Sequence, residues 1–447
     1  MGRKMALLMT FILLFLLAAG CSFKSGDELY CLPQAPDDYL KLQAQLDEVI
    51  KNGAEYAAPQ AGNNTQTVQM VDLNGDGVKE AVAFFRDTTS QQPLRIYIYQ
   101  QKEEGYEIAA IIEGDGVAIN SITYTQLTGD NWSEIIVCWQ MSTKVQSMTV
   151  YDIKNFSVSQ MMQESYTKFA VCDMDQDNRE EIIVFHADKG DMGCHADYFD
   201  YDGKDLVQTD SVQLSNGIDE ITNIKAGKLV NFIPALFVES QCAGGEIVTD
   251  IFACRNGRME NITRDSATGV SAHTVRYYSV FCTDINKDGI VEVPLPVKLP
   301  AYKPTGSDNY WMIHWVQYAL NGTYTRALTT YHNYSDGWYL ILPEKWVENI
   351  TVSRSDSISG ERSIVFSQRT GENSAPIPFL TISKLTGANR EERSKLGNRF
   401  VLMRDADGTD AIYTGEFAAN QANKTYMIGK EALLKQFHLI SVDWNEG

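Results

Sequence analysis

Asp72-Leu73-Asn74-Gly75-Asp76-Gly77-Val78-Lys79-Glu80 is the stretch that decides the fold. It returns as Asp173-Met174-Asp175-Gln176-Asp177-Asn178-Arg179-Glu180-Glu181, and again as Asp284-Ile285-Asn286-Lys287-Asp288-Gly289-Ile290-Val291-Glu292. Two worn copies lie between. One is Gln126-Leu127-Thr128-Gly129-Asp130-Asn131-Trp132-Ser133-Glu134, followed by Ile135, Ile136 and Val137; the other, 223–231, keeps only the outline ahead of Pro234 to Val238. The copies start at 72, 126, 173, 223 and 284, in steps of 54, 47, 50 and 61 residues. That is about the size of a four-stranded propeller blade, and five such units reach to about residue 330.

The sequence around the first copy has a β texture. Val68 to Val71, Ala81 to Arg86, Leu94 to Gln100 and Tyr106 to Ile112 read as four strands with turn residues between them. Upstream, Leu42, Leu46, Val49 and Ile50 share one face at helical spacing, with Asp37 or Asp38 as a cap and Gly53 as a stop. This helix is expected to pack on the first repeat.

The repeated residues have a clear chemistry. Calcium takes six to eight oxygens, mostly carboxylates and carbonyls. Acceptors at positions 1, 3 and 5 of a tight loop can wrap one ion, a residue tolerant of positive φ at position 6 makes the turn, and position 9 closes the shell. The expected ligands are Asp72, Asn74, Asp76, the Val78 carbonyl and Glu80 in the first loop. They are Asp173, Asp175, Asp177, the Arg179 carbonyl and Glu181 in the second, where Asn178 replaces glycine. They are Asp284, Asn286, Asp288, the Ile290 carbonyl and Glu292 in the third. An EF-hand needs a glutamate at position 12 and flanking helices. Position 12 is Ala83, Val184 or Leu295, and the flanks read as strands. In the worn copy at 126–134, position 1 is uncharged and position 3 is Thr128, so a metal is not expected there.

In its loops and their phase, the region of about 65–330 resembles the FG-GAP or VCBS-type repeats of integrin-like proteins. The resemblance implies a mainly β chain: a β-propeller of about five four-stranded blades, a short N-terminal helix and a C-terminal α+β domain. It also implies structural calcium within blades and ligands bound elsewhere on the propeller face.

The N-terminus reads as a secretory signal. Arg3 and Lys4 precede an apolar run from Met5 to Leu17 that is too short to span a bilayer, and Ala18, Ala19, Gly20 and Cys21 follow. This ending resembles a bacterial lipobox, although the usual leucine sits one place early, at Leu17. The resemblance implies acylation of Cys21 and a chain held on the extracytoplasmic face of the membrane. The expected organisation is a signal peptide over 1–20, a lipidated tether and helix over 21–58, a propeller over 59–332 and an α+β domain over 333–447.

The formal net charge of −20 argues against nucleic acid as a partner. From Asp336 onward, acidic residues exceed basic ones by only two, so the charge lies mostly upstream, where the loops are. Of eight cysteines, seven remain after Cys21. Cys242 and Cys254 flank a hairpin and are the expected pair, whereas Cys138, Cys172 and Cys282 read as buried thiols.

Enzyme signatures are weak. The six histidines form no zinc spacing, and Cys194-His195, near Asp191 and Asp197, reads as a polar loop rather than a metal site. The aromatic stretch from Tyr310 to Trp346 reads as strand core rather than a stacking platform. Beyond Ser335, strands are expected at 338–342, 350–353, 363–367, 379–383, 399–404 and 411–414, helices at 389–396 and 430–436, and a hairpin turn at 405–408. The leading functional expectation is a non-catalytic scaffold binding a surface protein, peptide or glycan. The alternatives are a propeller enzyme acting on polysaccharide outside the cell and an envelope assembly or sensory accessory.

Overall fold

A computed structural model describes residues 37–440 apart from 104, 144, 188–192, 300–309, 372–373, 406–409 and 420–425. The signal segment, Cys21, the tether as far as residue 36, and all but the first residue of the 405–408 turn lie outside the described residues. Among the described residues strand accounts for 51% against 10% helix, which places the chain in the mainly β class. It divides into two compact units, Met1–Ser121 and Ile122–Gly447, with the division inside strand Ala118–Thr125.

In the first unit, helix α1 (Asp37–Lys51) buries Leu42 and Leu46 against Ala81, Ala83, Phe85, Tyr97 and Tyr99 of the first sheet. Val49 packs at the margin, while Ile50 stays 38% exposed, so the buried stripe is narrower than its spacing suggests. Gly53 ends the helix at φ +98°, where a side chain would be strained. The sheet runs Glu55–Tyr56, Glu80–Arg86, Leu94–Lys102, Gly105–Gly114, with Val68–Val71 also paired to Glu80–Arg86.

Three four-stranded sheets follow, each an antiparallel meander. The second runs Ala118–Thr125, Glu134–Gln140, Gln146–Asp152, Ser159–Ser165. The third runs Lys168–Cys172, Glu181–His186, His195–Tyr201, Leu206–Gln213, and the fourth runs Ile218–Lys228, Pro234–Cys242, Ile247–Arg255, Arg258–Asn261. The second strand of each is almost wholly buried, whereas the outermost strand Leu206–Gln213 is mostly exposed. Burial on both faces is why these second strands read as continuous apolar runs instead of alternating patterns.

The core clusters show what covers the two faces. Ile182 and Val184 pack with Ile136, Met148 and Val150 of the second sheet. Their neighbours Ile183 and Phe185 pack with Leu236, Val238, Val248 and Phe252 of the fourth. Phe237, Ile251 and Ala253 then pack with Val293, Val316 and Tyr318 of the fifth. Successive sheets in the second unit are therefore stacked face to face, with odd and even residues of one strand serving different neighbours.

The fifth sheet departs from expectation. It runs Glu292–Lys298, Trp311–Tyr318, Tyr324–Asn333, Trp338–Ile341, Phe437–Leu439. The break expected at 332/333 thus falls inside a sheet, because strand 338–341 closes onto 330–333 and the chain returns at 437–439 to pair with it. Trp315, Trp338 and Trp346 are at most 1% exposed, so these three tryptophans are core. A sixth sheet, Ile350–Ile358, Glu361–Gln368, Ile377–Leu385, Ile412–Phe417, Phe400–Arg404, makes the C-terminal α+β part with helix α3 (Lys430–Gln436). Between its strands the expected 389–396 helix shrinks to the single turn α2 (Arg390–Arg393).

Two further expectations fail. Residues 223–228 are not a loop but the end of strand Ile218–Lys228, and the turn is 229–233, closed by the Leu229 N–H on the Ile233 carbonyl at 2.8 Å. Cys242 and Cys254 are free thiols. The hairpin register pairs Leu236 with Phe252, so the two cysteines sit at opposite ends of it, eight residues apart along strand Ile247–Arg255, or roughly 26 Å.

Two predictions follow from this packing. Phe185→Ala should cost about 3–5 kcal/mol in urea unfolding, because the ring fills the space between two sheets and meets Phe252 edge-on at 5.8 Å. The second concerns His332, buried among Trp315, Tyr334 and Tyr339. Burial holds its imidazole down at about 3. The folded chain then binds fewer protons than the unfolded chain between pH 3 and 6.5. Its contribution to stability is complete above about pH 6.5 and falls by about 1.4 kcal/mol per pH unit below that. His332→Gln should flatten this part of the pH–stability curve relative to the parent; parallel curves would contradict the assignment.

Candidate cation-binding loops

Each acidic loop joins the first strand of a sheet, or its equivalent, to the second. In the fifth sheet the first strand is reduced to a bridge between Thr283 and Glu292. The loops share one hydrogen-bond plan. Position 1 receives two backbone N–H groups. Asp72 accepts from Gly75 (2.8 Å) and Gly77 (2.9 Å), Asp173 from Gln176 (2.6 Å) and Asn178 (3.1 Å), and Asp284 from Asp288 (3.0 Å) and Gly289 (2.8 Å). Position 3 accepts from the N–H of position 5 through Asn74 (2.9 Å), Asp175 (3.1 Å) and Asn286 (2.9 Å). Position 5 accepts from the N–H of position 7, namely Val78, Arg179 or Ile290, at 2.7 to 2.9 Å.

Position 6 has positive φ in all three loops, at Gly77, Asn178 and Gly289, as the sequence requires. Position 4 does so too, at Gly75, Gln176 and Lys287, which nothing in the residue types of the last two announces. Left-handed backbone at a residue with a Cβ costs roughly 1–2 kcal/mol. In the second loop, the paired N–H bonds to Asp173 hold it in place.

Position 9 is the anchor. Glu80, Glu181 and Glu292 are at most 1% exposed. Each accepts, through Oε2, the N–H of position 2: Leu73 at 2.9 Å, Met174 at 2.7 Å and Ile285 at 2.9 Å. Glu134 of the worn copy does the same for Leu127 at 2.7 Å. Burial raises all four carboxyl groups, taking Glu181 and Glu292 up to about 7, with neighbouring aspartates adding to the rise at Glu80, Glu181 and Glu292. A carboxylate in such a place is costly as a bare anion.

The loops differ in what meets the other oxygen of this glutamate. In the worn copy Thr128 Oγ1 donates to Glu134 Oε1 at 2.8 Å, and Lys154 Nζ lies 2.7 Å from Asp130 Oδ2. A lysine ammonium therefore already supplies positive charge there. In the third loop Gln317 Nε2 donates to both Asp288 and Glu292 at 2.8 Å. In the first, Asn74 Nδ2 reaches Asp76 at 3.0 Å and Glu80 at 3.4 Å. In the second, Glu181 Oε1 is buried, and the Tyr198 hydroxyl is the side chain that interacts with this carboxyl group.

Glu181, Asp173, Asp175 and Asp177 each offer an oxygen, and these oxygens all lie within 4.8 Å of one another; those of Asp284, Asp288 and Glu292 do likewise. Two ligands of one calcium at about 2.4 Å can be at most about 4.8 Å apart, so both clusters have the size of a calcium shell. A buried glutamate amid three aspartates makes the second loop the best fit. Arg179 competes there, since its guanidinium pairs with Asp177 and pulls that carboxyl below its ordinary value.

Two features had no local sequence signal. Lys154 and Gln317 lie 24 and 25 residues beyond the acids they meet and arrive through sheet pairing. The first unit also holds a cleft of about 500 Å³ between helix α1 and the first sheet, lined by Glu48, Asp87, Arg95, Tyr97, Ile108 and Ile111 among others. No protein-family model matches the chain, and no curated protein matches it.

Calcium should raise the melting temperature of the intact chain over that in chelator. Each site contributes about 2.7 kcal/mol when the ion is at a hundredfold excess over its dissociation constant. Glu181→Gln should remove much of this response while melting higher than the parent in chelator at pH 8, since it takes away a buried charge. Asp130→Asn should leave the response intact. Identical melting with calcium and with chelator would remove the metal from the account.

Proposed function

We propose that the chain is an exported, lipid-anchored surface protein that acts as a non-catalytic binding scaffold, with its repeats closing into a β-propeller and calcium held in its acidic loops. The observation that carries this reading is the recurrence of one loop plan in the first, third and fifth sheets, each time immediately ahead of a strand that opens on a buried glutamate. Sheets stacked face to face in the second unit are what blades require. The donor set of carboxylates and amide oxygens suits a hard cation, and calcium tolerates irregular shells better than magnesium does.

The anchor rests on the apolar segment ending in Cys21. Acyl chains add about 0.8 kcal/mol per buried CH₂, so a multiply acylated cysteine holds a chain firmly. A protein so placed has external macromolecules as its natural partners: a protein, a peptide or a glycan. The cleft beside helix α1 is the favoured ligand site. It combines the cation Arg95, the acids Glu48 and Asp87 and the aromatic face of Tyr97, a mixture suited to a polar ligand with apolar faces.

The test has two parts. In the native host, Cys21→Ala should release the protein into the medium; continued membrane retention would contradict acylation. The purified chain, in calcium, should bind saturably to a member of a panel of surface proteins, peptides and glycans, at least tenfold more weakly after Tyr97→Ala. Depolymerisation of a glycan by the parent chain would transfer the protein to the enzymes, and absence of binding across the panel would count against the scaffold.

A further inference from the structure

His186 and His195 are nine residues apart in sequence but directly opposite each other in the third sheet, as the cross-strand pair of strands Glu181–His186 and His195–Tyr201. Asp197, two residues beyond His195, shares its face. This overturns the reading of Cys194-His195 as a polar loop: His195 is on a strand and 8% exposed. The imidazole rings stack at 4.7 Å and 19°, and each Nε2 faces the same carboxylate oxygen. Asp197 Oδ2 is 3.3 Å from His186 Nε2 and 3.7 Å from His195 Nε2. The three side chains are only 10–13% exposed.

These distances decide between two explanations. A charge-assisted N–H···O bond has its heavy atoms about 2.7–2.9 Å apart; both separations are longer. Ligands at about 2.0–2.1 Å around a tetrahedral zinc ion are about 3.3–3.4 Å apart along each edge. The 3.3 Å separation equals such an edge, and the 3.7 Å separation needs only a few tenths of an ångström of closing.

The protonation pattern points the same way. His195 Nδ1 lies 2.9 Å from the Gly193 carbonyl, which can only accept, so Nδ1 carries the proton. Nε2 of His195 is then the ring atom that can take a metal ion, on the side of Asp197. The Gly193 bond is also the kind of outer contact that fixes a ligating imidazole's tautomer and orientation.

We infer that His186 Nε2, His195 Nε2 and Asp197 form a transition-metal site of the zinc class, separate from the acidic loops. The two lie at opposite ends of the strand Glu181–His186, whose ends are five residue steps, or roughly 17 Å, apart. Nitrogen donors select against calcium, and the oxygen-only loops hold zinc less well than an imidazole pair does. The three protein ligands leave room for a further ligand to complete a tetrahedron.

Cobalt(II) titrated into the whole purified chain, in excess calcium, is the test. One equivalent should bind and give the strong visible ligand-field bands of a four-coordinate ion, and one equivalent of zinc should bleach them. His186→Ala and His195→Ala should each weaken binding at least tenfold, while Glu181→Gln and the exposed His273→Ala leave it unchanged. X-ray absorption on the zinc-loaded parent chain needs no variant and should report two imidazoles in the shell. Absence of stoichiometric cobalt binding, a shell without imidazole, or equal loss in His273→Ala would overturn the assignment.

Discussion

The bond between a buried glutamate and the backbone N–H seven residues before it organises this molecule. Glu80, Glu134, Glu181 and Glu292 each begin the strand that follows their loop and each hold the residue after the loop's start. The bond fixes where the loop leaves one strand and where it joins the next, and so sets the register between them. It also brings a carboxylate into a place where burial opposes its charge. In the proposed reading, the acceptors at positions 1, 3 and 5 collect a cation that relieves this cost. Where the cation is supplied internally, by Lys154 on Asp130, the aspartate at position 1 has disappeared and the glutamate bond has remained. The anchoring bond and the full set of loop acids are thus separable, and the anchoring bond is the more widely kept.

The fourth sheet shows the same need met differently. Its first two strands are joined by the short turn 229–233, with no acidic loop, and a buried glutamate again lies on its second strand. Glu239 accepts from Asn223 Nδ2 at 3.0 Å and from the Cys282 N–H at 2.8 Å, and it pairs with the guanidinium of Arg276, both side chains fully buried. This carboxylate is neutralised by a fixed arginine. Removing either partner alone would strand a charge in the core, which is costly, whereas the pair itself adds little net stability.

Much of the architecture was legible in the sequence because its causes are local. Second strands buried on both faces give unbroken runs such as Ile135 to Cys138, and turn residues bracket them. The three complete loops could be read because position 1, 3, 5, 6 and 9 chemistry is written in consecutive residues. What could not be read depends on pairing across the sheets. The outline at 223–231 was a coincidence of spacing within a long strand. The aromatic strand Trp338–Ile341 looked like the start of a new domain because nothing local ties it to Tyr324–Asn333. Cys242 and Cys254 lie close in sequence, yet antiparallel register carries them to opposite ends of a hairpin.

The histidine pair is the sharpest case of this limit. Metal motifs recognisable in a sequence place ligands on one helix or in one short loop, where spacing alone fixes geometry. Across a hairpin the separation of two facing residues depends on the connecting length, which is free to vary. His186 and His195 therefore had no spacing to offer, and Asp197 looked like one more acid in an acidic chain. Only the register, with His186 opposite His195 and Asp197 opposite Val184, puts the three side chains on one face. The same strand, Glu181–His186, carries an oxygen cage at its start and nitrogen donors at its end. Its fully buried middle keeps the two apart, so the hard and the softer cation proposed above would share one strand without competing for ligands.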